Sequence, residues 1–86
     1  MKIDIHAKIF CKGEFAEMIK EVDMSAVPQR ENYWRCGDAR FIINDVGYDF
    51  PKPNKIDTIP LKFRDDEPEK ANDLINLMIE DGWEKV

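Results

Sequence analysis

The chain has 86 residues, a net charge of −5 and a pI of about 4.8, a length that suits one domain spanning residues 1–86 and is too short for two. With 43% hydrophobic and 36% charged residues, the composition is globular rather than disordered. The acidic balance counts against general binding to nucleic acid or anionic membranes, which need a basic surface. No apolar run approaches the roughly 20 residues of a membrane-spanning helix.

Residues Met1–Cys11 alternate, with Ile3, Ile5, Ala7, Ile9 and Cys11 on one side and Lys2, Asp4, His6, Lys8 and Phe10 on the other. A period of two predicts a strand with one buried face. Gly13 interrupts it. Glu14–Asp23 then carries Phe15, Met18, Ile19 and Val22 at i, i+3, i+4 and i+7, which predicts an amphipathic helix of two to three turns. Pro28 stops any such helix, because its ring removes a donor and clashes with the preceding turn. Tyr33-Trp34 places a large apolar pair on the connection that follows, and Trp34 is expected to be buried.

Ala39–Val46 reads as a second strand, with Phe41 and Ile43 facing one way. Gly47–Asn54, containing Tyr48, Phe50 and two prolines, reads as a loop. Lys55–Arg64 alternates as a third strand, but Pro60 cannot donate to a ladder, so an edge position or a bulge is expected there. Asp65-Asp66-Glu67-Pro68-Glu69 is a helix start, in which Asp66 and Glu69 fit a capping box. Ala71, Leu74, Ile75 and Met78 form the inward stripe of a helix over Lys70–Asp81. Gly82 ends the helix, and Trp83–Val86 reads as a short final strand. The resulting order, β-α-β-β-α-β, resembles the ferredoxin-like arrangement. It implies a single small α+β domain with two helices on one face of an antiparallel sheet.

No motif rises to a catalytic assignment. A metal site needs three or four ligands at workable spacing, and His6, Cys11 and Cys36 neither cluster in sequence nor share a strand face. Cys36 has Arg35 beside it, but a nucleophile needs a base and a lowered pKa. The carboxylates around Asp65 are accounted for by helix capping. There is no phosphate-binding glycine loop, no nucleophile elbow and no paired-histidine helix. The expectation is a non-enzyme without cofactor or metal. Two cysteines with no apolar leader point to free thiols and a cytoplasmic location.

Charge is the chain's most distinctive feature. From Asp65 to Asp81 there are seven acids and one base, so this segment holds −6 and everything else sums to +1. At 100° per residue, Asp66, Glu69, Asp73 and Glu80 fall opposite the inward stripe, with Leu77 beside them. An apolar side chain ringed by charge suits a binding hot spot. The leading expectation is therefore an acidic interaction module that binds or inhibits a basic partner protein, such as a nucleic-acid-binding protein, in the manner of phage or bacterial regulators. Self-association stays open. The alternative is a small-molecule regulatory domain using Tyr33, Trp34, Tyr48 and Phe50 as a ligand loop. A third reading places RNA on an open sheet face bearing Lys2, His6, Lys8, Phe10, Arg40, Lys62 and Arg64, although the basic-aromatic pattern of RNA-recognition domains is missing from Leu61–Arg64.

Overall fold

A computed structural model describes residues 2–23, 32–49 and 52–86, with Tyr48, Asp49, Lys52 and Pro53 described in backbone only. Residues 24–31 and 50–51, Phe50 among them, lie outside the described residues.

The first strand, β1 (Lys2–Cys11), turns back tightly into a second strand, β2 (Glu14–Asp23), where the local pattern predicts a helix. Lys12 and Gly13 both have positive φ, 53° and 74°, the left-handed pair of a two-residue hairpin turn whose twist matches that of the flanking strands. The pairing runs without a slip from Lys2↔Asp23 to Cys11↔Glu14. It sets Ala16 and Met18 inward against Ile9 and Ala7, so the true period in β2 is two.

The next strands are β3 (Tyr33–Cys36), β4 (Ala39–Asp49) and β5 (Lys52–Thr58), followed by the short β6 (Leu61–Lys62), the helix α1 (Pro68–Glu80) and a terminal β7 (Glu84–Lys85). The sheet order is β3-β4-β5-β1-β2-β7, with β6 also on β1. Strands dominate the described residues, and they form a strongly curled, mixed half-barrel. The ferredoxin-like α+β arrangement is thus overturned. The described chain contains one helix, the expected Gly47–Asn54 loop is largely strand, and β1 pairs with β5 and β6 in parallel.

Pro60 explains why β5 and β6 are separate. Asp57 lies opposite His6 and Leu61 opposite Ile9, so this side carries one residue more than β1 between the two pairs, which is a bulge. There the Ile59 N–H donates to the Ile42 carbonyl at 2.8 Å, on β4 rather than β1. The Thr58 hydroxyl donates to the His6 carbonyl at 2.9 Å, tying β5 to β1 just before the proline.

The concave face of the sheet and α1 share one apolar cluster. Ile3, Ile5, Ala7 and Ile9 meet Met18, Phe41, Ile43 and Ile56, with Ala71, Leu74 and Met78 closing the cluster from the helix. Ile75, expected in the same stripe, is half-buried against it. Gly82 (φ 95°) ends α1: the Gly82 N–H donates to Ile79 O and the Trp83 N–H to Met78 O. This doubly bonded stop ordinarily brings the residue after the glycine against the last turn. Here it delivers Trp83 into the core, 2% exposed and 6.0 Å from the Phe41 ring. The chain then pairs Glu84 and Lys85 with Ile19 and Met18 of β2.

Candidate functional site: a groove beside the acidic helix

The start of α1 is built differently from the expected capping box. Glu67 is the N-cap, Pro68 opens the helix, and no side chain caps it. Asp66 instead pairs with Arg64 at 3.1 Å, Glu67 with Lys70 at 3.0 Å, and Asp65 accepts the Lys12 N–H at 3.2 Å. Pro68 accounts for this. A proline at the first helical position has no N–H to satisfy and a preset φ, which lowers the demand for a cap and frees the acids for neighbouring cations.

Of the five residues picked out on the outer helix face, the structure brings two together at a cavity. Asp73 and Leu77 line a groove of about 680 Å³ between α1, the β3–β4 turn and β6. Its apolar lining is Ala39, Leu61, Phe63, Leu74 and Leu77, and its rim carries Asp38, Arg40, Lys70 and Asp73. Glu69 and Glu80 are exposed on the helix away from the lining, and Asp66 is engaged by Arg64. Leu77 is 42% exposed, as its phase predicts. It does have one close neighbour: a β-carbon at Gly37 would lie 2.7 Å from Leu77 Cδ2. Gly37 (φ 58°) thus serves both the turn and the contact that fixes this wall of the groove.

Rim charges differ in how far they are committed. Lys70 holds Glu67 at 3.0 Å, and Arg40 lies 5.0 Å above the Tyr33 ring. Among the described residues, Asp38 and Asp73 take part in no ion pair. Sequence reasoning missed Asp38, Ala39, Leu61 and Phe63. They join Leu77 only through the curl of the sheet, and nothing local to Leu61–Phe63 signals it.

The aromatic ligand loop does not assemble. Tyr33 and Trp34 lie on β3, not on a loop, and neighbouring residues of a strand face opposite ways. Tyr33 is exposed beneath Arg40, while Trp34 is half-buried against the core. Tyr48 belongs to β4, and Phe50 is outside the described residues. Lys2 pairs with Glu21 and Arg64 with Asp66, and His6 Nδ1 lies 3.7 Å from a Glu17 carboxylate oxygen, so several of the groups marked for RNA already face carboxylates.

Cys36 is 3% exposed, and its Sγ lies 3.9 Å from the Asp81 carboxylate. Burial pushes this thiol above its ordinary pKa, and the Asp81 charge adds to the effect. That is the reverse of activation. The Lys20 ammonium, 3.0 Å from Asp81, holds that carboxyl below the usual carboxylate range. Trp83 Nε1–H is buried with no acceptor in hydrogen-bonding geometry. Among the described residues, no group of histidine, cysteine and carboxylate side chains is arranged to hold a metal ion, and no helix is long and apolar enough to cross a membrane.

No protein-family model, curated protein or solved structure matches the chain.

Proposed function

We propose that this protein is a non-catalytic interaction module that captures a basic partner protein through the acidic side of α1 and the groove along it. The observation that carries this reading is the position of Leu77 and Asp73, an exposed apolar side chain and an uncommitted carboxylate on the rim of one apolar groove. An apolar centre bordered by charge is the usual layout of a contact hot spot. Glu69 and Glu80 extend the negative potential along the helix and would act at longer range, raising the rate of encounter with a basic surface. The acid-rich segment carries −6 of the chain's −5, so attraction is directional. A cytoplasmic setting fits the two cysteines, both of which are free.

The test is capture of partners from a host lysate by immobilised protein across a salt series. Steep loss of the captured protein between low and physiological salt is expected, since exposed charges are screened over a Debye length of about 8–10 Å. Asp73→Asn should weaken capture and flatten the salt dependence. Capture indifferent to both salt and Asp73→Asn would refute an electrostatic docking role.

A further inference from the structure

We infer that the groove is a receptor for a cationic amphipathic peptide segment, in which one or two large apolar side chains are flanked by lysine or arginine. This rests on the function proposed above and adds the chemistry of the occupant. Three features carry it. The first is size and lining. At about 680 Å³ the groove falls within the roughly 300–1,000 Å³ of ordinary ligand sites, and Leu61, Phe63, Leu74 and Leu77 give it a floor whose water is released on contact.

The second is charge. An occupant that covers the rim must satisfy whichever charges have no partner of their own, because covering an unpaired charge is costly. Lys70 is already held by Glu67, whereas Arg40 lies over the Tyr33 ring and has no ion pair among the described residues. Asp73 on the helix wall and Asp38 on the β3–β4 turn have no ion pair among the described residues. Two carboxylates against one guanidinium leave the unmet charge net negative, and it calls for a cation beside the apolar anchor. A purely apolar or anionic segment would cover two carboxylates and pair neither.

The third is rigidity. The Gly37 backbone sits against Leu77 closely enough to exclude a β-carbon, and Leu74 and Met78 on the same helix are set in the core. The walls are thus fixed before the segment arrives, which reduces the ordering cost of binding.

The experiment titrates the full chain with three short synthetic peptides. Between glycine flanks they carry Lys-Leu-Leu-Lys, Lys-Ser-Ser-Lys or Glu-Leu-Leu-Glu. Backbone amide shifts are followed by NMR up to about 1 mM peptide, where weak contacts still register. The Lys/Leu peptide is expected to bind roughly tenfold more tightly than either control, shifting Ala39, Leu61 and Leu77. A D38N/D73N variant, changed only at the exposed rim and checked for an unaltered amide spectrum elsewhere, should lose most of that preference. Equal binding of the Lys/Leu and Lys/Ser peptides, with shifts confined to Glu69 and Glu80, would overturn the groove while leaving capture by the acidic helix standing. Equal binding of the Glu/Leu peptide would overturn the charge requirement. No response to any cationic peptide would overturn this inference and the function on which it rests.

Discussion

Asp81 closes the last turn of α1 and also receives the Lys20 ammonium from β2, 3.0 Å away. Its depressed pKa has a definite pH signature. A carboxyl lowered in the folded state contributes stability above its unfolded value, near pH 4, and loses that contribution as pH falls through the lower folded value. Melting temperatures measured from pH 6 down to pH 2 should therefore show a smaller acid-side decline for Asp81→Asn than for the parent chain. The neighbouring Cys36 should resist alkylation in the folded protein at neutral pH and react once the protein is unfolded, as peptide mass spectrometry would show; reaction at the rate of a free thiol would contradict its burial. Leu77→Ala should cost less than about 1 kcal/mol by urea denaturation, whereas Met78→Ala, 0% exposed, should cost about 2–5 kcal/mol. A loss above about 2 kcal/mol at Leu77 would place it in the core and remove it from recognition.

Among the elements, β2 shows what local pattern can and cannot reveal. Its ten residues satisfy helical spacing through Phe15, Met18, Ile19 and Val22. The inward row of the strand is Ala16, Met18, Lys20 and Val22, and Lys20 spoils the alternation. That lysine is tolerated because its ammonium finds Asp81, 61 residues further on, and Phe15 is turned outward to meet the Phe10 ring at a tilt, centroids 4.8 Å apart. One partner is 61 residues away and the other lies across the hairpin turn, so the ten residues alone could not have disclosed either. The turn was more legible. Gly13 signalled a break, and its φ of 74° with open space around it means that Gly13→Ala would be penalised only by backbone strain, about 1–2 kcal/mol. Pro60 was legible too, as the bulge it produces. The Thr58 side-chain bond to β1 beside it was not, and Thr58→Val should cost about 1–3 kcal/mol by leaving the His6 carbonyl without that donor. In α1 the inward stripe and the exposure of Leu77 followed from a period of 3.6, a strictly local property.

On the scale of the whole molecule, composition limited the answer to a small domain, but topology lay beyond it. Parallel pairing of β1 with β5 leaves no mark in either strand, because alternation is the same whichever way a neighbour runs. The groove inherits this limit. Its helix wall was readable from charge and phase, whereas the opposite wall is created by the curl that brings Asp38 and Ala39 round to the helix. Since one apolar cluster joins sheet and helix, thermal unfolding should be a single transition. The Trp83 signal near Phe41 and the far-ultraviolet signal of the backbone should coincide, and separate midpoints would mean that α1 detaches independently.

The central position of β1 has a consequence in time. One side of it is completed by a strand two residues away, the other by Asp57 and Thr58, the latter 52 residues from His6. On a ribosome adding about 5–20 residues each second, the β1–β2 hairpin emerges several seconds before its second neighbour. During that interval the bare edge of β1, rich in isoleucine, is open to any extended chain nearby, including another nascent copy. The period of greatest hazard for this protein thus falls during its synthesis, before the parallel strand arrives.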